Sequence, residues 1–339
     1  MPFRPGFAER WRSEEDFILG ITREIWEERH IGSLTHRYGP ELVVRSPAAL
    51  LLGNRAIVAA TMATLAEFPD RELPGEDVIC CDVAPGAFLS SHRLICWATH
   101  AGEGSYGAPT GRRLRYRILA DCYCEGDAVT DEWLVRDQGA VVRQMGFDLV
   151  PWVRDFIARE GGPETCVRPY VPEADVPGPH AGRGNDHWTG RALADLLTRL
   201  MEAELSVIPA RWDRACELHY PGHVEAHGHA EADRFWLSLR AALPSAEFRV
   251  HHAIGRDDPL MPPRAAVRWS LDGRHDGWGA FGRPTGSRVH VMGITHAEFG
   301  PYAGGMGGHG RGEPTIRREF TLIDEAAIWK QILLASGDV

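Results

Sequence analysis

The sequence predicts an α+β fold that occurs twice along the chain, and three observations predict it. The pattern H-x-G-x-G-x-x-G-x-P-T-G stands at residues 100–111 and again at 275–286, every matched residue offset by 175. In each copy helical periodicity comes first and strand periodicity follows, an order that indicates α+β and not βαβ. A Pro/Gly-rich stretch at 161–184 without a clear period separates the copies and reads as a stiff, extended connector. The predicted organisation is a first domain over 1–160, a linker over 161–184 and a more divergent second domain over 185–339.

In the first copy, Phe17, Ile18, Ile21, Ile25 and Trp26 recur at helical spacing across 14–30, with Ser13 placed to cap the helix. A short strand follows around Leu42, Val43 and Val44. A second helix covers 54–67 and is stopped by Pro69. Strands are then expected at 76–83, 88–100, 112–124 and 128–135. The third alternates Arg113, Arg115 and Arg117 with Leu114, Tyr116 and Ile118, the period-two mark of a half-exposed antiparallel strand. A helix-like turn at 138–145 follows. In the second copy the opening helix is expected over 189–208, from Leu193, Leu196, Leu197, Leu200 and Leu205.

The correspondence continues to each C-terminal end. Glu132 matches Glu319, Trp133 matches Phe320, Asp137 matches Asp324 and Gln144 matches Gln331, now offset by 187. The second copy therefore carries 12 extra residues, and the stretch 300–312, with seven glycines in thirteen, is where they fit; a mobile loop or lid is expected there.

Composition narrows the function. Asp and Glu number 47 against 37 Lys and Arg, a formal charge of −10, which disfavours a phosphate-backbone binder, so no nucleic-acid partner is expected. Lys330 is the only lysine, which makes Schiff-base chemistry a poor fit. Seven cysteines without a C-x-x-C pair read as reduced core thiols of a cytoplasmic protein. The N-terminus has no apolar signal region, and the most apolar stretch, 47–68, is interrupted by Asn54 and Arg55, so neither secretion nor a membrane partner is expected. No G-x-G-x-x-G joins a first strand to a helix, which disfavours a dinucleotide fold.

The opening helices, the T-H-x-G-x-x-x-x-G-x-P-T-G stretch at 99–111, the hairpin ending E-W-L-V-R-D and the Q-M-G at 144–146 resemble the SnoaL-like polyketide cyclases of the nuclear transport factor 2-like superfamily. The resemblance covers most of 12–150 and recurs more weakly over 188–335. It implies two tandem cone-shaped domains, each a curved antiparallel sheet wrapped around helices and enclosing an apolar pocket. It also implies a small-molecule substrate carrying a carbonyl group and ring closure by aldol chemistry, with neither metal nor cofactor. The aspartate at the end of the last strand acts as the base in that family, which by motif match is Asp137, and Asp324 in the second copy.

Asp137 is expected to be the main catalytic carboxylate, although it also stands where it could cap the following helix. His100 and His275 are candidates at a pocket rim, with a satisfied structural histidine as the alternative. Trp133, Tyr116 and Phe320 are candidate substrate contacts. His219, His223, His227 and His229 have spacings that could hold zinc, but the first copy has no matching set, so no metal is assigned. Gly293, at the place of Ile118, should thin the second copy's pocket wall or core there. Non-catalytic binding of an apolar ligand, and hydrolase or dehydratase chemistry on the same fold, remain open. The two domains are expected to pack through the outer faces of their sheets, and homo-oligomerisation is possible.

Overall fold

The computed structural model describes residues 10–180, 184–300 and 314–339; the glycine-rich insertion of the second copy lies outside them, apart from Gly300. The first half runs α1 (Glu14–Trp26), α2 (Leu34–Arg37), β1 (Tyr38–Ser46), β2 (Ala49–Leu52), α3 (Asn54–Glu67), β3 (Gly75–Ala84), β4 (Ala87–Thr99), β5 (Arg113–Glu125), β6 (Ala128–Arg136), α4 (Gln138–Gln144) and α5 (Leu149–Arg159). The second runs α6 (Trp188–Met201), α7 (Val207–Arg211), β7 (Trp212–Tyr220), β8 (Val224–His227), α8 (His229–Ala242), β9 (Glu247–Arg256), β10 (Arg264–Arg274), β11 (Arg288–Gly300), β12 (Thr315–Ile323) and α9 (Glu325–Ser336).

Each half builds one six-stranded sheet in the same order, β2-β1-β6-β5-β4-β3 and β8-β7-β12-β11-β10-β9. Both sheets are mixed where a purely antiparallel sheet was expected, because β1 runs parallel to β6 and β7 parallel to β12. The single helix expected over 189–208 is two, α6 and α7, divided after Met201 by a turn in which Ala203 takes a left-handed φ of 64°.

Local chemistry accounts for the ends of the elements. Ser13 accepts a hydrogen bond from the Asp16 N–H and caps α1. Gly102 and Gly104 let the repeated glycine turn lie against the end of α3, since a Cβ on Gly102 would stand 2.0 Å from the Ala66 carbonyl oxygen. Gly277 does the same against α8, where a Cβ would stand 1.9 Å from the Ala241 oxygen. Glu67 fastens the first turn by accepting from the Ser105 N–H, the Tyr106 N–H and the Ser105 hydroxyl. Gln144 bonds both backbone groups of Arg115, and Gln331 both of His290, so these matched glutamines tie α4 to β5 and α9 to β11.

The outer faces of the two sheets pack on each other. Ile79, Leu89 and Tyr123 meet Ile254 and Ala266, while Leu119 and Val135 meet Met292, Ile294 and Leu322. Asp121 is buried in this interface and accepts from Ser91 and from His252 Nδ1 at 3.0 Å, with the Arg268 guanidinium at 3.4 Å. These partners hold its carboxyl well below the ordinary carboxylate range despite burial. The strand β5 is consequently less exposed than its alternation suggests: Arg117 is buried, bonded to Glu76 and to His219 Nδ1 of the second domain. The linker lies along the first sheet, with Arg45 bonded to Asp175 and the Val176 oxygen, and the His180 N–H bonded to Asp131.

The two interiors differ. The second domain is filled by Trp212, Trp236, Trp269 and Phe281 in one continuous core. Gly293 does not thin a pocket wall there; it makes room for an indole, since a Cβ at 293 would stand 2.2 Å from the Trp269 ring. Gly293→Val should therefore destabilise the protein by about 1–3 kcal/mol through overpacking, read as a fall in the urea midpoint, and Trp269→Leu should relieve the loss when combined with it.

Candidate functional site

In the first domain the same interior remains open. The chain register defines the matched positions: Tyr38 pairs with Val129 as Trp212 pairs with Ile316, and Leu94 pairs with Ile118 as Trp269 pairs with Gly293. Thr61 and Trp236 are each the eighth residue of their helices, α3 and α8. Where the second domain has Trp212, Tyr220, Trp236 and Trp269, the first thus has Tyr38, Ser46, Thr61 and Leu94. All four smaller residues line a cavity of about 200 Å³. A second chamber of about 210 Å³ shares Ala48, Thr64, Arg136, Gln138 and Asp324 with it and adds Tyr116, Trp152, Phe156 and Lys330. Together they fall in the lower part of the size range of small-molecule pockets.

Glu132, Leu134 and Arg136 of β6 point into the inner chamber. Glu132 is buried, and among the described residues no hydrogen bond reaches its carboxylate; burial pushes its pKa up to about 7, with the charge of Arg136 opposing the rise. Its matched residue Glu319 sits in contrast among four donors: Trp212 Nε1 at 2.7 Å, Thr321 Oγ1 at 2.8 Å, Trp236 Nε1 at 3.1 Å and the Tyr220 hydroxyl at 3.2 Å. The residues that fill the second interior are thus also the ones that satisfy its buried carboxylate.

Asp324 reaches the first domain's chambers from the second. It caps α9 by accepting from the Ala326 and Ala327 N–H groups through Oδ1, and it lines both chambers. Burial and the nearby Asp137 charge raise its pKa to about 7. The sole lysine, Lys330, lines the outer chamber too, paired with Glu160. His92 lines the inner chamber and is held neutral by burial, its pKa lowered to about 4.

Asp137, expected as the main base, has a different position. Its carboxylate accepts from the N–H groups of Ala140, Gly222 and His223, each at 2.9 Å. It thereby caps α4 and clamps the turn between β7 and β8 of the other domain. The only space it lines among the described pockets is a crevice of about 10 Å³, about the room of one water. The asymmetry with Asp324 has a local origin. The β7–β8 turn holds Pro221, Gly222 and His223, whereas the β1–β2 turn holds only Pro47 and Ala48 and gives Asp324 no hydrogen bond.

Trp133 and Phe320 lie on the outer faces of their sheets and line neither chamber; Phe320 lines only the small crevice that it shares with Asp137. Trp133 is held between the guanidinium groups of Arg45 and Arg268, 4.2 and 3.6 Å from its ring centre. Phe320 stacks on His219 with ring centres 4.4 Å apart and lies under Arg93. Strand alternation does place Trp133, Val135 and Asp137 together, but on the interface face, one residue out of phase with the cavity. His100 and His275 are buried in the glycine turns, bonded through Nδ1 to Thr110 and Thr285, and line neither chamber. Tyr116 does line the outer chamber, with burial raising its phenol pKa. Among the described residues no group of three or more His, Cys, Asp or Glu could hold a metal ion, and no helix is long and apolar enough to cross a membrane. His219 is bonded to Glu217 and Arg117, and His229 to the Trp212 oxygen.

Comparison with known proteins agrees with this architecture. Residues 193–305 match the model of the SnoaL-like domain. The second half of the chain is thus similar to the SnoaL-like domain over that stretch. The first half repeats its strand order, so both halves have the same α+β form. No curated protein matches the chain. Among solved structures, IdmH of Streptomyces antibioticus is 20% identical, with 39% of this chain and 98% of its own covered, at a TM-score of 0.34. A SnoaL-like polyketide cyclase of Agrobacterium tumefaciens is 17% identical over 39% of this chain and 97% of its own, at 0.31. TsrD of Streptomyces laurentii is 19% identical over 39% and 93%, at 0.33.

Two stability outcomes follow. Asp137→Ala removes a helix cap and two hydrogen bonds between domains, and should cost about 2–4 kcal/mol in chemical denaturation at pH 7. Glu132 has a folded pKa of about 7, above its ordinary 4.5. The native state is thus penalised for holding it charged above pH 7 and carries no such penalty below pH 4.5. Glu132→Gln should therefore stabilise the protein by about 2–4 kcal/mol at pH 8 and change little at pH 4.

Proposed function

We propose that the first domain's cavity carries out cofactor-free acid–base chemistry on a small, apolar, carbonyl-containing molecule, of the cyclase or isomerase type, with Glu132 as the base. The observation that carries this reading is the buried carboxylate of Glu132, which faces open space, lacks a hydrogen-bond donor and has a pKa raised to about 7. A base whose pKa lies near the working pH is both present in its ionised form and strong enough to take a proton.

The steps balance without another reagent. Glu132 takes a proton from the carbon alpha to a carbonyl, and the C–H electron pair becomes an enolate. The enolate carbon attacks a second carbonyl of the same molecule, a C–C bond forms, and the electron pair of that carbonyl becomes an alkoxide. A carboxylic acid then protonates the alkoxide, and the proton held by Glu132 passes through solvent to that acid, so both groups return to their starting states. Asp324, with its pKa of about 7 and its place on the wall of both chambers, is suited to that role. Isomerisation uses the first step and then returns the proton to a different carbon. Arg136, whose charge acts on both carboxyl groups, keeps part of each ionised at neutral pH.

In this reading the second domain has two jobs: it supplies Asp324 to the first domain's site, and it supports that site through the sheet interface. We further propose the division of the chain at 1–160, 161–184 and 185–339.

Glu132→Gln should lower turnover of the true substrate by about 10²–10⁴-fold, the usual worth of a positioned base, while ligand binding persists. The wild-type kcat/KM should follow a bell with its maximum near pH 7, rising as Glu132 ionises and falling as Asp324 loses the proton it must donate. Steady-state kinetics across pH 5–9 with a 1,5- or 1,7-dicarbonyl panel check both points. Full turnover in Glu132→Gln, or a greater loss in a folded Asp137→Asn, would contradict the assignment.

A further inference from the structure

The inner chamber contains a cation that the acid–base reading does not use. Arg71 follows α3 in the chain, and its side chain is fully buried and lines the cavity. The guanidinium lies over the Trp26 ring at 4.2 Å, and Nε points to the Cys96 sulphur at 3.3 Å. Both terminal nitrogens, Nη1 and Nη2, are buried without a hydrogen-bond partner among the described residues. Among the described residues Arg71 has no ion pair; the groups whose charge bears on it are Tyr116, Cys96 and Tyr106.

This arrangement is costly unless something completes it. Guanidinium keeps its proton at any physiological pH, so Arg71 does not escape burial by neutralising. Taking an ion out of water without a counter-charge costs several kcal/mol. The other buried arginines among the described residues show the usual remedy: Arg45 meets Asp131 and Asp175, Arg93 meets Glu76 and Glu298, Arg117 meets Glu76, Arg264 meets Asp77 and Asp258, and Arg268 meets Asp121. Arg71, a residue of the cavity lining, instead leaves two adjacent N–H-bearing nitrogens unpaired, the fork that receives a carboxylate in a bidentate pair.

We propose that Arg71 binds a carboxylate of the cavity's ligand, so that the substrate class is an apolar carbonyl compound bearing a carboxylic acid. This rests on the proposed reading of the cavity and adds an anchor to it. The anchor is separate from the reacting carbon. Glu132 on β6 stands opposite Cys122 of β5, which stands opposite Ser90 of β4, whereas Arg71 reaches β4 at Cys96, further along the strand. An enolate oxygen, two bonds from the deprotonated carbon, would lie near Glu132, whereas a carboxylate further along the molecule can reach Arg71. Leu73, Leu94 and Ile118 supply the apolar wall for the intervening carbon atoms.

Binding tests this without turnover. Isothermal titration of the full chain with phenylalkanoates from phenylacetate to 5-phenylpentanoate, each against its neutral amide, should show at least one acid bound about 10-fold or more tightly than its amide. Arg71→Met should abolish that preference, and Arg71→Lys should keep part of it. Unliganded Arg71→Met should also melt at a higher temperature than the wild type, because an unpaired buried charge has gone. Glu132→Gln should keep the acid preference, which separates this proposal from the acid–base reading. Equal binding of acids and amides across the series, or an acid preference that survives in Arg71→Met, would overturn it.

Discussion

A carboxylate buried at one register position of each curved sheet is the constraint on which both interiors depend. A buried carboxyl group needs donors, a counter-charge or a raised pKa. The second domain provides donors: two indoles, a phenol and a hydroxyl converge on Glu319, and the same aromatic rings fill the space around it. The first domain provides none to Glu132, and its smaller side chains leave a cavity beside a carboxyl group pushed towards neutrality. One position thus yields a stable core in one copy and a reactive group in the other.

The relation between the copies is broken at a second point by one residue. The three-residue turn at 221–223 reaches across the interface and saturates Asp137, while the two-residue turn at 47–48 leaves Asp324 on the wall of the chambers. The sheet-on-sheet packing around Asp121 holds both arrangements in place. The cavity is therefore built from both domains, and neither half holds all of its polar groups.

Much of the fold was legible in the sequence, because helix and strand periodicities are local and the repeat gave each element a second reading. The helix over 54–67 and the cap at Ser13 stand where the pattern placed them. The parallel pairing of β1 with β6 was not legible, since it joins strands far apart in the chain. The site was legible only in part. Alternation grouped Trp133 with Asp137 correctly, but it does not say which face of a sheet looks inward when both faces are covered. The interface took the face with Trp133, and the cavity took the face with Glu132. A usable signal was present: aligned on the repeat, Trp212, Trp236 and Trp269 stand against Tyr38, Thr61 and Leu94, which marks the emptier interior. Asp324 was named, but its placement in the other domain's cavity depends on long-range packing that no local pattern carries. Arg71 was missed because one arginine among many gives no sign that its partners are absent.

The most direct test is a pH titration of the side-chain carboxyl carbons by carbon-13 NMR, with the Glu132 signal assigned by its disappearance in Glu132→Gln. The account predicts that Glu132 titrates near pH 7 in the unliganded protein. A midpoint near the ordinary value of about 4.5 for a glutamate would show that the carboxylate is solvated or bonded, and would contradict the claim that the first domain keeps an open cavity around a poised base.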